Sequence, residues 1–389
     1  MAIENWIATQ LPDLTEFRRD LHQNPELLYD VHRTASRVAD ALRAAGVDEV
    51  HEGIGQTGVV GIIRGQSNRQ GRMIGLRADM DALPILEETG APWASKIPGK
   101  MHACGHDGHT TMLLGAARHL AESRAFDGAV AVSFQPAEEG GAGGKAMIDD
   151  GLFTRLPINE VYGMHNMPGL DIGEFAIAPG PLMASVDQLR IEIEGVGGHA
   201  AFPHEGTDPL MATSALIQAV QSIVSRNLDP LKAAVISITT IHGGDAFNVI
   251  PQAISMTGTV RTLDEDVRRT VRERLERVVQ GIAAAFGAKG HLDYETLYPV
   301  TVNDPEGTER AASAAREVAG EARVHTGWPP SMGGEDFSFM LNERPGAMIF
   351  TGNGPSAGLH HPAYDFNDEV IAWGCSYWTT LVRQRLSAT

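Results

Sequence analysis

The stretch KMHACGHDGHTTM, residues 100–112, holds three histidines and one of the chain's two cysteines within eight positions. Imidazole nitrogens and a thiolate sulfur bind transition metals, and a thiol beside a histidine is also the arrangement of a nucleophilic cysteine. Either chemistry needs further side chains, because a metal needs more ligands and a nucleophile needs a group that orients its base. The other members of such a site must come from elsewhere in the chain.

Acidic and metal-binding residues recur where short apolar segments end. Asp79 and Asp81 follow MIGLRA, Glu138 and Glu139 follow AVAVSF, His165 follows NEVYGM, and His360 and His361 lie in GLHHPAYDFND. Short apolar segments bounded by glycine predict buried strands. An open α/β sheet forms its ligand site at the carboxyl ends of its strands. We therefore expect these side chains to meet the histidine-rich stretch at one edge of a sheet.

The mixture of imidazole, carboxylate and thiolate favours Zn, Mn, Co or Ni over Ca or Mg, which prefer oxygen ligands. The number of candidates suits two ions, which can hold a bridging hydroxide against a polarised carbonyl. Of Glu138 and Glu139, one can then bind metal while the other moves a proton from that water to a leaving amine. For Cys104, capture by metal is favoured over a role as nucleophile, and an inert buried thiol is the third alternative.

The elements that must position these residues alternate between strand and helix patterns up to about residue 183. GRMIGLRAD has the pattern of a strand and GHTTMLLGAARHLAES that of a helix, which predicts an α/β fold with a helix-covered, mostly parallel sheet carrying a two-metal site. Later the order becomes strand, helix, strand, strand, helix, strand, as in a ferredoxin-like (split βαβ) unit. We predict a discontinuous metal-binding catalytic domain, 1–183 and 298–389, with an inserted lid and dimerisation domain, 184–297.

Composition excludes several classes of partner. The formal net charge of −18 and the pI near 5.2 argue against nucleic acid, because phosphates require a basic face. No segment approaches the roughly 18 apolar residues of a membrane span. The N-terminus does not resemble a signal peptide and two cysteines make no disulfide framework, so we expect a cytoplasmic protein.

Eight motifs along nearly the whole chain resemble, in order and spacing, the bacterial amidohydrolases of the hippurate hydrolase and N-acyl-amino-acid deacylase type. The motifs are RADMDALP, GKMHACGHDGHTTMLLGAA, QPAEEGGAGG, GMHNMPG, GGHAAFPHEGTDP, NVIPQAISMTGTVRT, GGEDFSFM and LHHPAYDFND. Plant auxin-conjugate hydrolases belong to the same group, and aminoacylase and glutamate carboxypeptidase are more distant. The resemblance implies a metal-binding α/β domain with a small lid that often mediates dimer contacts.

Matched motif by motif, the resemblance implies specific roles in the catalytic domain. The implied ligands of a two-metal centre are Cys104, His106, Glu139, His165 and His360. Glu138 would be the general base and acid, and Asp81 would orient a metal ligand from behind. Asp79 stands where the distant carboxypeptidases have a metal-binding histidine. This departure leaves open the identity of the metal and the occupancy of the second metal site, but not the class of reaction. His102 and His109 match no ligand and are expected to orient ligands or to cap a helix.

Three residues of the predicted lid also match the family. His199 in GGHAAFPH resembles the histidine that stabilises the oxyanion of the substrate carbonyl, across a dimer in some relatives. Asn248 and Arg261 resemble residues that hold the substrate carboxylate, for which a guanidinium is well suited. For Arg261, a plain salt bridge is the alternative.

Together these expectations describe a metal-dependent amidohydrolase that cleaves N-acyl amino acids, with an acetyl or an aromatic acyl group as in hippurate, to a carboxylate and the free amino acid. The expected assembly is a homodimer or homotetramer whose partner is a small molecule, and lid closure would complete the site. A dipeptidase or carboxypeptidase with the same machinery is the first alternative. A metal-dependent binding protein is the second, although it would need neither Glu138 nor His199.

Overall fold

The computed structural model describes residues 5–387 and divides into two compact units. The first comprises the chain up to residue 182, residues 302–329 and the chain from residue 336 onward. The second comprises residues 183–301 and 330–335. The predicted lid, 184–297, falls inside the second unit, which in addition contains residue 183 and the segments 298–301 and 330–335. Catalytic and lid roles for the two units remain a prediction.

The described residues form sixteen strands and eleven α-helices. The strands are β1 (Glu49–Ile54), β2 (Gly58–Arg64), β3 (Met73–Asp79), β4 (Ala129–Gln135), β5 (Glu160–Pro168), β6 (Phe175–Ala176), β7 (Gly180–Met183), β8 (Val186–Glu194), β9 (Gly198–His199), β10 (Ala234–His242), β11 (Val249–Ile250), β12 (Ala253–Thr262), β13 (Lys289–Tyr298), β14 (Thr301–Asn303), β15 (Val324–His325) and β16 (Gly346–Gly354). The helices are α1 (Asn5–Gln23), α2 (His32–Ala44), α3 (His106–Ser123), α4 (Glu138–Gly141), α5 (Gly143–Asp149), α6 (Leu152–Arg155), α7 (Pro209–Ser222), α8 (Glu265–Ala285), α9 (Pro305–Ala319), α10 (Phe337–Glu343) and α11 (Val370–Arg385).

The first unit is built on an eight-stranded mixed sheet in the order β1-β2-β4-β3-β5-β16-β6-β15. Its centre, β4-β3-β5-β16, is parallel, which confirms the predicted α/β fold. The pairs β1/β2, β2/β4 and β6/β16 are antiparallel. The three residues between β1 and β2 are too few for the crossover that a parallel pair requires, so these two strands are antiparallel within a sheet that is mostly parallel, as predicted.

Helices bury the central strands of this sheet. Every residue of β3, β4 and β16 is buried, as expected for parallel strands covered on both faces. Helix α3 packs against α1 and α11, and a Cβ atom added to Gly115 of α3 would lie 2.5 Å from Sγ of Cys375. The absence of a side chain at this position therefore lets α3 and α11 pack closely. The helix that starts at His106 is in this way fixed to the core.

The second unit contains a four-stranded antiparallel sheet in the order β10-β12-β8-β13. With α7 after β8 and α8 after β12, this is the topology of the predicted split βαβ unit. Alternate residues of β8 are buried, and helices α7 and α8 pack against each other and against this sheet. Asp264 begins α8 by accepting hydrogen bonds from the backbone amides of Asp266 and Val267, which stabilises the helix N-terminus.

None of the helices in residues 5–387 combines the length and the apolar composition that a membrane span requires.

Candidate metal centre

Side chains from four separate stretches of the first unit converge at the carboxyl ends of the parallel strands. Cys104 precedes α3, His106 begins it, Glu138 and Glu139 follow β4, His165 lies in β5, and His360 lies between β16 and α11. Potential ligand atoms lie within 4.8 Å of one another in three overlapping groups, which are Cys104/His106/His165, Cys104/Glu139/His360 and His106/Glu138/Glu139. The structure thus brings together all five residues that were predicted as ligands, with Glu138 beside them.

The shortest distances within this set join residues from different elements. Sγ of Cys104 lies 3.3 Å from Nε2 of His165. Oε1 of Glu139 lies 3.3 Å from Nε2 of His360 and 3.9 Å from Nε2 of His106. Glu139 therefore faces both of these imidazoles.

Several buried polar atoms of this set make no hydrogen bond among residues 5–387. Both ring nitrogens of His106 and Oε1 of Glu139 are buried without a hydrogen bond among the described residues. A buried polar atom left in this state costs about 1–3 kcal/mol, so its presence calls for a missing partner. Imidazole, carboxylate and thiol donors directed at one volume fit a transition-metal ion.

The electrostatics of Cys104 disfavour its role as a free nucleophile. Burial raises the pKa of the Cys104 thiol well above its ordinary value, and the nearby carboxylates of Glu139 and Glu138 raise it further. A thiol in such surroundings keeps its proton unless a cation compensates the charge of the thiolate. Burial also lowers the pKa of His165, and His109 adds to the effect, so the His165 imidazole is neutral as a metal ligand must be.

Asp81 holds the loop that carries the two glutamates. Its Oδ1 atom accepts a hydrogen bond of 2.9 Å from the backbone amide of Glu138, and its Oδ2 atom accepts one of 3.1 Å from that of Glu139. Oδ1 also lies 3.5 Å from Nδ1 of His106, on the side of the ring away from Nε2. Asp81 is 1% exposed, so it lies behind the converging side chains.

Asp79 and His109 form a hydrogen-bonded pair beside the converging side chains. Asp79 accepts hydrogen bonds from Nδ1 of His109 at 2.7 Å and from Nη1 of Arg77 at 2.8 Å. Nε2 of His109 accepts a hydrogen bond of 2.9 Å from the backbone amide of Asn166. Asp79, His106 and His109 lie close enough together to hold an ion, but these bonds use both ring nitrogens of His109.

His102 and His109 were expected to orient ligands or to cap a helix. Neither caps α3, whose N-cap is Gly105 in a left-handed conformation without a side-chain hydrogen bond. His109 instead orients Asp79 and the segment after His165. His102 is buried with both ring nitrogens unpartnered among the described residues, and burial lowers its pKa to about 3.

Three residues other than glycine adopt left-handed backbone conformations around the site. They are Ala137 (φ 53), Ala142 (φ 54) and His360 (φ 64). Such conformations cost on the order of 1–3 kcal/mol each and persist where the surrounding structure imposes them. Ala137 immediately precedes Glu138, so the strain lies where the chain turns to present the two glutamates.

The predicted lid residues all belong to the second unit. His199 in β9 is exposed, and its Nδ1 atom accepts a hydrogen bond of 3.0 Å from the amide of Ala201, so a neutral ring carries its proton on Nε2. Asn248 is exposed and its carbonyl accepts a hydrogen bond from Ala200. Arg261 on β12 is half-buried and makes no ion pair among the described residues, which removes the salt-bridge alternative there.

Sequence reasoning did not single out Arg77, Asn166 or Tyr364, which are buried polar residues next to the converging set. Arg77 bridges Asp79 and Asp336, and Tyr364 donates a hydrogen bond to Asn166. The available signals were weak, since Asn166 only adjoins His165 and Tyr364 only follows the histidine pair that contains His360.

Comparison with known proteins places the chain among hydrolases. The profile of peptidase family M20/M25/M40 matches residues 75–384. Hippurate hydrolase of Campylobacter jejuni is 44% identical over 96% of this chain and 97% of its own length. N-acetyl-L-cysteine deacetylase of Bacillus subtilis is 42% identical, covering 94% and 86%. Thermostable carboxypeptidase 2 of Saccharolobus solfataricus is 41% identical, covering 90% and 86%.

One solved structure with the same fold is that of the Bacillus subtilis YXEP protein, described as a dinuclear metal-binding peptidase of the M20 family. It superposes with a TM-score of 0.85 at 34% identity, and the match covers 98% of this chain and all of the other. The chain therefore belongs to peptidase family M20/M25/M40, and it is a metal-dependent amidohydrolase of that family.

Proposed function

We propose that this enzyme hydrolyses the amide bond of N-acyl amino acids, with an acetyl or aromatic acyl group, to a carboxylate and the free amino acid. The observation that carries the proposal is the convergence of five potential ligands, several with unpartnered buried atoms, beside the separate carboxylate of Glu138. The names of two relatives, a hippurate hydrolase and an N-acetyl-L-cysteine deacetylase, describe this class of substrate.

The proposed cofactor is a pair of divalent ions, Zn, Mn, Co or Ni. The residues that would hold them are Cys104, His106, Glu139, His165 and His360. When bound, such ions polarise a substrate carbonyl and lower the pKa of water. Asp81 would keep His106 and the glutamate loop in place through the contacts described above.

Glu138 is the proposed general base and acid. Its carboxylate would take a proton from the attacking water, whose oxygen bonds to the carbonyl carbon, and would deliver that proton to the nitrogen as the carbon–nitrogen bond breaks. The backbone bond to Asp81 fixes the start of its side chain, and the residue is 7% exposed.

Residues of the second unit have proposed roles in binding. Nε2–H of His199 would donate a hydrogen bond to the carbonyl oxygen as negative charge develops on it. Arg261, which lacks an ion pair among the described residues, and Asn248 would bind the substrate carboxylate. We further propose that the protein forms a homodimer or homotetramer. We also propose that it is cytoplasmic, because its two cysteines are both free.

A carboxypeptidase or dipeptidase is the second candidate, because one relative at 41% identity is named a carboxypeptidase. A peptide bond is also an amide next to a carboxylate, so the residues named above would serve both reactions. The two candidates differ only in the acyl side of the substrate, which carries a free amine in a dipeptide and none in an N-acyl amino acid.

The deciding experiment measures amino-acid release by chelator-stripped protein, before and after addition of Zn, Mn, Co or Ni. Substrates are benzoyl-glycine, a set of acetyl-amino acids and a set of dipeptides. Metal-restored release from the acylated substrates, above that from dipeptides of the same C-terminal residue, supports the proposal. Faster release from the dipeptides favours the peptidase, and no release by protein with two ions bound contradicts both.

A further inference from the structure

Asn166 directly follows His165, and every polar group of this buried residue is engaged. Its backbone amide donates to Nε2 of His109 at 2.9 Å, and its side-chain Nδ2 donates to the carbonyl of Cys104 at 2.6 Å. Its Oδ1 accepts a hydrogen bond of 2.7 Å from the hydroxyl of Tyr364. Its backbone carbonyl lies 2.7 Å from Nδ1 of His165. Asn166 is fully buried, so these bonds replace water completely.

The proposed metal ligands other than Glu139 come from three stretches of the chain. Asn166 makes a hydrogen bond to a residue of each of these stretches. Cys104 is itself a potential ligand, His109 lies one turn along the helix that His106 begins, and Tyr364 belongs to the loop that carries His360. One side-chain amide therefore connects elements that are 62 and 198 residues away in the chain. No other contact described above joins so many of these segments.

The neighbouring backbone is shaped to admit this amide. A Cβ atom on Gly105 would lie 2.4 Å from Nδ2 of Asn166 and 2.5 Å from the hydroxyl oxygen of Tyr364. Gly105 also has φ +88, a conformation that other residues rarely adopt. The CGHD motif thus contains a glycine between Cys104 and His106 where only a hydrogen atom leaves room for Asn166.

The same contacts fix the direction of the two nearest ligand atoms. Nδ1–H of His165 donates to the Asn166 carbonyl, which leaves Nε2 of His165, at 3.3 Å from Sγ of Cys104, as the atom that can bind an ion. The amide bond to the Cys104 carbonyl holds the backbone from which that sulfur extends. Partners behind metal ligands commonly control affinity in this way, by setting tautomer and orientation.

We propose that Asn166 is a positioning residue: its side-chain amide holds the backbone of Cys104 and its backbone carbonyl holds His165 in the geometry of metal ligands, so that loss of the amide weakens metal binding at the centre. This inference rests on the metal centre of the proposed function. Loss of a residue in such a position weakens metal binding by about 10–100-fold.

The substitution Asn166→Asp tests the role of the amide with almost no change in size. The oxygen that replaces Nδ2 would face the carbonyl oxygen of Cys104 at 2.6 Å and Nε2 of His109 at 3.0 Å. Both of these atoms are hydrogen-bond acceptors, so the new oxygen would be repelled by them instead of donating a hydrogen bond. Metal-stripped N166D and wild type are titrated with Co²⁺, and affinity is measured together with the absorption of the thiolate–cobalt bond. We expect about 10–100-fold weaker binding and a shifted or weakened thiolate absorption.

Two tyrosines supply a matched pair for the same measurement. Tyr364 and Tyr377 are both fully buried, but the Tyr364 hydroxyl donates to Asn166 whereas that of Tyr377 has no hydrogen-bond partner among the described residues. Tyr364→Phe is expected to weaken Co²⁺ binding and alter the absorption, and Tyr377→Phe is expected to change neither. If N166D does not fold, as judged by circular dichroism, the tyrosine pair decides.

Wild-type affinity and absorption in the folded variants N166D and Y364F, beside a wild type that binds metal, would overturn the positioning role alone. A folded wild type that binds no Co²⁺ would overturn the proposed metal centre, and this inference with it. Equal losses in Y364F and Y377F would show a general effect of core substitution and would likewise contradict the proposal.

Discussion

Sγ of Cys104 lies 3.3 Å from Nε2 of His165, although 61 residues separate the two in the chain. The two atoms belong to different elements, and each is held by contacts on its far side. A buried thiol and a neutral imidazole at this separation gain little from each other, since a thiol is a weak hydrogen-bond donor. Their arrangement is explained by a shared third partner, for which a metal ion is the chemically suited candidate.

The first prediction concerns the two cysteines, of which only Cys104 lies at the centre. Cys104→Ala is expected to lower metal affinity by more than about 100-fold, because loss of a ligand should exceed loss of a residue behind a ligand. Cys375→Ala removes the other buried thiol and should leave metal affinity unchanged. Metal content after dialysis and the rise in melting temperature on metal addition measure both. Equal metal uptake by the two variants would contradict the assignment of Cys104.

The second prediction separates the two adjacent glutamates. Glu138→Gln should lower turnover by about 10²–10⁴-fold while metal content stays at the wild-type level, because a proton carrier is lost and no ligand is removed. Glu139→Gln should instead weaken metal binding, since its Oε1 faces His106 and His360. Turnover and metal content are measured on the same samples. Turnover of E138Q within tenfold of wild type at full metal loading would rule out the proposed role.

Sequence reasoning reached the fold because periodicity and strand order are local properties. Apolar segments bounded by glycine predicted the central strands β3 and β4, and the helix and strand order predicted the second unit's topology. The sheet was predicted to be mostly parallel, but the sequence did not indicate which strand pairs would be antiparallel, because pairing direction depends on where a strand is placed after folding. Only one residue of strand β1 is buried, so the apolar pattern of this segment is too weak to predict a strand.

The candidate site likewise has residues that the sequence predicts and contacts that it does not. Residues at strand ends, such as Glu139 and His165, were selected because parallel strands end at one edge of a sheet. The contacts of Asn166 could not be foreseen, because they are made with residues 57, 62 and 198 positions away. An asparagine beside a histidine carries no periodic signal, and its importance arises only when distant segments pack around it.

The third prediction concerns the exposed histidines of the second unit. Because Nδ1 of His199 accepts a hydrogen bond from Ala201, a neutral ring presents Nε2–H as a donor. His199→Ala should lower kcat by about 10²–10³-fold, the range for loss of one oxyanion donor, with metal content unchanged. His204 lies five residues later with an exposed side chain, and His204→Ala should keep the wild-type rate. Similar rates for the two variants would contradict the role of His199.

The last prediction concerns a buried charged group behind the histidine-rich stretch. Nδ1 of His22 in α1 lies 2.8 Å from Oδ2 of Asp107, and its Nε2 lies 3.4 Å from Oε1 of Glu87. Arg18, His102 and Asp365 are the other charged or titratable groups that interact with it. Burial lowers the pKa of His22, but Asp107 outweighs this and raises the pKa to about 9, against an ordinary value of 6.5.

Because the folded pKa of His22 exceeds the unfolded one, the protonated ring stabilises the folded state fully below pH 6.5, and this contribution is lost as pH rises through about 9. The loss amounts to something on the order of 3 kcal/mol. Urea unfolding of metal-free protein between pH 6 and 10 should therefore show a decline in the free energy of unfolding that is flatter in His22→Gln. The same substitution at exposed His32 should keep the wild-type slope. Parallel slopes for wild type and H22Q would mean that His22 is neutral in the folded protein, and that Arg18 alone compensates the buried carboxylate of Asp107.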